Sequence, residues 1–196
     1  MIVKTGRFGQ LGVENDEMIY IPQGILGFPD YKRFFIVDPG DDTFILWLQA
    51  VDHADLAFPI LEPKIFKPDY TVRLSALELR ELKLENINQS AVFSILTIPE
   101  SVTQMTANLK APLVINLKEQ VAKQVVLQEN EYSIQHEMFK ELKMHLLSVH
   151  ARRVNSPSSH LSSAQGKEQS QAVSGSPVSV RNIPPSLTVR TLHPTA

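Results

Sequence analysis

The sequence contains no cysteine, which excludes disulfide bonds, thiolate nucleophiles and cysteine-based zinc sites. It also lacks long apolar runs. No segment approaches the roughly 20 apolar residues that a membrane-spanning helix requires, and the first twelve residues, MIVKTGRFGQLG, lack the continuous apolar stretch of a signal peptide. We therefore expect a cytoplasmic protein with no membrane segment.

The motifs of common catalytic sites are missing as well. No serine lies in a G-x-S-x-G pattern, and the second histidine of an H-E-x-x-H motif is absent after His136 and Glu137. The best metal-site candidate is the group Asp52, His53 and Asp55, because carboxylates and an imidazole on one loop can share an ion. A solvated loop between two strands is the simpler interpretation. We expect a protein that is not an enzyme and that has no cofactor and no bound metal.

Charge is distributed unevenly along the chain. The net charge is −2, but residues 151–196 hold five basic residues and one acidic residue, which leaves 14 basic against 20 acidic residues in 1–150. An acidic surface repels phosphate backbones and attracts basic proteins. The alternative, a direct RNA-binding β-barrel, is favoured locally by Lys32 and Arg33 beside aromatic residues. The acidic background disfavours it, so we expect no direct nucleic-acid binding.

Residues 1–135 contain many short strand-like segments separated by turn residues. Strands are predicted over residues 34–37, 44–48, 56–61, 91–98, 113–117 and 124–127. The first two form a hairpin around the turn-forming run DPGDD, with a loop of about five or six residues, and the last two form a pair. Pro59 favours a sheet edge or a bulge. Short strands at this density predict an all-β, barrel-like fold of antiparallel strands.

Two segments are predicted to be helical. Ser75 followed three residues later by Glu78 has the spacing of a capping box, which predicts a short helix over 75–84. Met138 and Leu142 begin an apolar stripe at helical spacing from 135 to about 149, which either docks on the barrel or binds a partner.

Residues 151–196 are rich in Ser, Pro and Gln and show no period of 2 or 3.6, which predicts a disordered C-terminal tail. Within it, the runs VSVR at 178–181 and LTVR at 187–190 are candidate linear motifs, with plain solvated tail as the simpler interpretation. The chain is thus predicted to comprise a β-barrel domain with a C-terminal helix over 1–150 and a tail over 151–196.

Five sequence blocks, in order, resemble the FliW family of flagellar assembly factors. They are GILGFPDY at 24–31, FILWLQA at 44–50, AFPILEP at 57–63 with PDY at 68–70, MTANLKAPLVIN at 105–116 and KQVVL at 123–127. The likeness covers roughly residues 1–140. The resemblance implies a non-enzymatic, barrel-like β protein of the bacterial cytoplasm. It also implies that the protein binds CsrA, an RNA-binding translational repressor, relieves its repression of flagellin synthesis, and binds flagellin as a chaperone. We expect a monomer.

The block MTANLKAPLVIN has a structural interpretation that needs no catalysis. Asn108 favours an Asx turn and Pro112 presets φ where a strand begins. Leu113 and Ile115 then share one face of that strand, and Val114 and Asn116 the other. The alternative is that this loop and the turn around residues 27–29 shape a binding surface.

Partner-binding residues are nominated on this basis. The flagellin termini, as amphipathic helices, call for an exposed apolar groove, and acidic side chains would steer a basic regulator in a salt-dependent way. The nominees are Phe28, Pro29, Asn108, Leu109, Pro112 and Ile115 for the turn and apolar contacts, and Glu100, Glu119 and Glu129 for steering.

Overall fold

The computed structural model describes residues 1–40, 43–128, 131–154 and 190–191. Its strands are β1 (Ile2–Thr5), β2 (Gly9–Gly12), β3 (Ile19–Tyr20), β4 (Arg33–Asp38), β5 (Leu46–Ala50), β6 (Ala57–Leu61), β7 (Ser90–Thr97), β8 (Thr106–Ala107), β9 (Leu113–Asn116), β10 (Val121–Gln124), β11 (His136–Glu137) and β12 (Arg190–Thr191). Its helices are α1 (Ala76–Glu81) and α2 (Phe139–Val154), with 3₁₀ turns at Asn15–Glu17, Pro63–Ile65, Ile87–Gln89 and Val102–Gln104.

Seven strands close into a barrel in the order β7-β6-β5-β4-β3-β10-β9, and pairing between β7 and β9 completes the ring. The predicted all-β, barrel-like fold is confirmed. All neighbours in the ring are antiparallel except β3 and β10, which meet in parallel at a single residue pair, Val121 opposite Tyr20. Closure gives every strand of the ring two neighbours, unlike the terminal strands of an open sheet, although some of these pairings are short.

Side chains of β4 alternate between two separate apolar clusters. Phe34 and Ile36 point into the barrel, where all seven strands contribute to one cluster. Phe35 and Val37 point outward and are covered by the β1–β2 hairpin through residues such as Val3. A strand that is buried on both faces has a continuous run of apolar residues in its sequence. This is why apolar and polar residues do not alternate in the sequence of β4.

The strand that follows the 105–112 loop has the predicted division of faces. Leu113 and Ile115 lie inside the barrel, whereas Val114 joins a second, outer cluster that includes Leu82. The Asn116 amide, on the outer face, donates a hydrogen bond of 2.8 Å to the Leu82 carbonyl. Both faces are therefore buried, and the outer one is tied to the end of α1.

Both predicted helices form, with different boundaries. Glu78 N donates to the Ser75 hydroxyl at 3.3 Å and Ser75 N donates to the Glu78 carboxylate at 2.7 Å, so the capping box is confirmed. α2 begins later than residue 135, because β11 pairs with β8 through His136 opposite Ala107. Met138 and Leu142 are buried in the outer cluster, which confirms docking of this helix on the barrel.

The predicted hairpin is confirmed, but its second strand starts at Leu46 and the connection spans residues 39–45. β6 is not an edge strand, since it lies between β5 and β7 and pairs with β5 without interruption, but Pro59 lies at a locally unpaired edge of β6. The ladder from β6 to β7 comprises only Ile60 opposite Ile95 and Leu61 opposite Ser94. Pro59 precedes that ladder, so its missing N–H removes no hydrogen bond.

The strand predicted over residues 124–127, which was expected to pair with the strand predicted over 113–117, lies three residues earlier, at Val121–Gln124. The chain beyond it still follows the same neighbour. Val125 N donates to the Pro112 carbonyl at 2.9 Å and Leu127 N donates to the Lys110 carbonyl at 2.9 Å. These bonds join the segment after β10 to residues 110–112, which belong to no strand.

Of the predicted tail, 151–196, the structure describes residues 151–154 and 190–191. α2 continues through residue 154, and residues 155–189 and 192–196, including the VSVR run, lie outside the described residues. Arg190–Thr191 forms a parallel strand on β4, with Arg190 opposite Val37 and Thr191 opposite Asp38. That edge of β4 is open there because β3 pairs only with Arg33 and Phe34.

Candidate partner-binding surface

The turn at residues 24–29 depends on two glycines. Phe28 N donates to the Ile25 carbonyl at 2.7 Å, and Gly27 has φ of +87°, the left-handed value that favours glycine at this turn position. A Cβ on Gly24, where φ is +70°, would lie 2.5 Å from the Phe28 carbonyl. Leu26 N donates to the Gln124 side chain at 2.9 Å, so the turn is anchored to β10.

Two large apolar side chains project from this turn. Leu26 is 57% exposed and Phe28 is 39% exposed. Phe28 stands edge-on against Phe58 at 5.2 Å between ring centroids, which fixes the ring without covering it. Pro29 is exposed as well. The apolar turn, defined as residues 24–29, is thus a rigid element that presents apolar surface to solvent.

The 105–112 loop, by contrast, is structural. The Asn108 side chain accepts a hydrogen bond from Ala111 N at 2.9 Å, three residues on instead of the two of the predicted Asx turn, and Asn108 N donates to the Ile95 carbonyl at 2.9 Å. Leu109 and Ile115 are 1% and 0% exposed, and Pro112 is also buried. Their nomination as contact residues is corrected, because Ile115 points into the barrel and Leu109 is buried in the outer cluster.

The acidic nominees differ in their surroundings. Glu100 is exposed. The Glu119 carboxylate lies 3.3 Å from Lys83 Nζ, an exposed pair that offsets part of its charge. Glu129 lies outside the described residues.

The metal-site candidates do not come together. Asp52 is bound through both carboxylate oxygens by Arg33, and this hydrogen bonding lowers the pKa of Asp52 below its ordinary value. The His53 ring stands edge-on to Tyr31 at 5.3 Å. Across residues 1–40, 43–128 and 131–148, no three histidine, aspartate or glutamate side chains are placed to share an ion. The solvated-loop interpretation describes this segment better.

A cleft beside β7 was not anticipated from the sequence. It encloses about 340 Å³ and lies between residues 62–72 on one side and residues 87–93 on the other. Glu62 lines it, and burial raises the pKa of that carboxyl, opposed by the nearby positive charge of Lys64. The signal in the sequence was proline at position 63, two residues after the end of the predicted strand, which ends regular pairing.

No helix among the described residues has both the length and the apolar character to cross a bilayer. The family model for "FliW protein" matches residues 2–138. A flagellar assembly factor FliW from Bdellovibrio bacteriovorus is 39% identical over 147 residues, covering 75% of this chain and 84% of the relative. One from Thermoanaerobacter pseudethanolicus is 40% identical over 144 residues, covering 73% and 96%. A crystal structure of the flagellar assembly factor FliW matches with a TM-score of 0.67 and 30% identity, covering 71% of this chain and 97% of that one.

Proposed function

Because the chain belongs to the FliW family of flagellar assembly factors, we propose that it acts in flagellum biogenesis by binding two proteins in the bacterial cytoplasm. One is a CsrA-type translational regulator, whose repression of flagellin synthesis it relieves. The other is flagellin, for which it serves as a chaperone. The mechanism is occupancy: capture of one partner releases the other, and no catalytic step is involved.

The observation that supports this proposal most directly is the exposed apolar turn. Leu26 and Phe28 are held outward by glycine geometry and by the Phe58 ring, so their exposure is built into the fold. Exposed apolar side chains on a rigid element are typical of protein-binding surfaces. An amphipathic helix such as a flagellin terminus would bury its apolar face against this turn.

Charge supports the CsrA-type regulator as a partner. Residues 1–150 carry six more acidic than basic residues, 20 against 14, so a basic RNA-binding regulator would be attracted and nucleic acid repelled. Glu100 is the freely exposed nominee, whereas Glu119 is shared with Lys83. Reversing the charges of Glu100, Glu119 and Glu129 should slow association with CsrA at low ionic strength. Unchanged association would remove the steering role.

Titration calorimetry of the full chain with CsrA, repeated after addition of flagellin, tests the proposal. We expect binding of each partner and loss of the CsrA signal once flagellin is present. Binding of flagellin alone would reduce the function to that of a chaperone.

Retention on RNA with a steep salt dependence would favour the RNA-binding alternative instead. That alternative has lost part of its support, since the Arg33 guanidinium is engaged by Asp52. Sedimentation of the same sample tests the expectation of a monomer.

A further inference from the structure

β7 has an open edge where its neighbour leaves the sheet. β6 pairs with β7 at Ile60 and Leu61, opposite Ile95 and Ser94. Continued in the same register, the ladder would place residue 63 opposite Val92. That residue is proline, which has no N–H to donate, and it begins the 3₁₀ turn Pro63–Ile65. The strand pairing therefore ends two residues before it would reach Val92.

The main-chain groups of Val92 face this gap. In an antiparallel sheet the N–H and C=O of one residue point to the same neighbour, and successive residues alternate between the two neighbours. The Ile95 carbonyl accepts from Asn108 N at 2.9 Å, on the β8 side. Val92, three residues away, faces the opposite side. Among the described residues, no main-chain or side-chain hydrogen bond crosses the cleft to Val92 from residues 62–72.

The cleft adds an apolar wall and one carboxyl group to this strand edge. Val72 and Ile87 lie along its sides, and both are only partly buried. The Glu62 carboxylate takes part in no hydrogen bond or ion pair among the described residues, and Lys64 is the other charged group in the lining. A half-buried carboxylate without a partner favours a positively charged or hydrogen-bond-donating group in the cleft.

We propose that this cleft is a strand-addition site, in which an extended segment of a partner protein pairs antiparallel with β7 at Val92. The segment has apolar side chains at alternate positions, which face the Val72 and Ile87 wall, and a basic side chain near Glu62. Main-chain hydrogen bonds supply affinity and the alternate side chains supply specificity, as in other strand-addition complexes. This inference is independent of the regulator and flagellin roles, and it concerns a surface separate from the apolar turn at residues 24–29.

The test uses full-length ¹⁵N-labelled protein and a panel of blocked seven-residue peptides of alternating valine and threonine, with one arginine moved through each position. Two control peptides replace the arginine by glutamate or carry N-methyl groups along one edge, which removes its donors. We expect shifts confined to residues 62–72 and 87–93. Amide exchange at Val92 should slow about tenfold at saturation. The arginine peptides should bind about fivefold or more tightly than the glutamate peptide, and the N-methylated peptide should not bind.

Variants of the protein separate charge recognition from folding. Glu62→Gln should abolish the preference for arginine while leaving shifts at Val92, and Asp16→Asn, which removes an exposed carboxylate elsewhere, should leave the preference unchanged. The inference is overturned if no peptide shifts residues 87–93 at about 1 mM, or if the N-methylated peptide binds equally well. Failure here with CsrA and flagellin still bound would reject the cleft and leave the proposed function standing.

Discussion

The Tyr70 hydroxyl donates a hydrogen bond to the main-chain carbonyl of Leu109 at 2.7 Å, with both residues 1% exposed. This bond joins the segment after β6 to the 105–112 loop, and the Tyr70 ring also packs against Tyr132 at 4.7 Å. A buried carbonyl that loses its donor pays the full cost of desolvation. The loop is therefore a structural junction between the barrel and its outer layer.

Replacing Tyr70 by Phe should lower the free energy of unfolding by about 1–3 kcal/mol, because the Leu109 carbonyl stays buried without a donor. Tyr20→Phe is the matched control, since that side chain is 52% exposed and should change stability little. Denaturant titration of both variants measures the difference. Equal stability of the two variants would show that a water molecule donates a hydrogen bond to the Leu109 carbonyl when the Tyr70 hydroxyl is removed.

Leu26→Ser combined with Phe28→Ser should weaken flagellin binding at least tenfold, about 1.4 kcal/mol, with a much smaller effect on stability because both residues are exposed. Leu109→Ala, in the core, should instead cost about 2–5 kcal/mol of stability. Leu77→Ser, 55% exposed on α1, is the control for removing surface apolar area. Binding by calorimetry that survives the double change would exclude the apolar turn from the interface.

The stability contributed by Glu62 should decrease as pH rises. Burial raises its pKa above the ordinary value of 4.5, so the folded state holds the proton more tightly than the unfolded state, and the unfolding free energy falls as pH rises through that interval. Glu62→Gln should therefore gain stability relative to the wild type between pH 4 and pH 7.5. Glu100→Gln, which removes a carboxylate at an exposed site, is the matched control variant in pH-dependent melting.

Asp52 should behave in the opposite way. Hydrogen bonding from Arg33 lowers its pKa below 3.8, so the stabilisation is present above pH 3.8 and is lost as pH falls through the folded-state pKa. Asp52→Asn should lose a small amount of stability at pH 7, since the pair is about half exposed, and match the wild type in strong acid. A stabilising effect of added Zn²⁺ on the wild type would instead revive the metal-site interpretation.

Truncation after residue 186 should speed amide exchange at the β4 edge, because it removes the strand Arg190–Thr191 that pairs with Val37 and Asp38. Truncation after residue 191 keeps that strand and should leave exchange unchanged. Exchange rates at the remaining β4 residues, which pair with β5, serve as an internal reference. Identical exchange in both truncated chains would contradict the pairing.

The sequence determined much of the local structure. Glycine at 24 and 27 specifies the turn, since those positions need positive φ. Ser75 and Glu78 specify the start of α1 through reciprocal capping bonds. Period 2 assigned Leu113 and Ile115 to one face of β9 and Val114 to the other, as the structure has them. Each of these features depends on groups a few residues apart.

Only the tertiary structure decided which faces remain exposed. Alternation shows which side chains share a face of a strand, but whether that face meets solvent depends on elements distant in sequence. Leu109 and Phe28 were both nominated as surface contacts, yet Leu109 is buried within the outer cluster while the Phe28 ring remains 39% exposed beside Phe58. The cleft at Val92 depends likewise on the point where β6 leaves β7, a contact between residues about thirty positions apart.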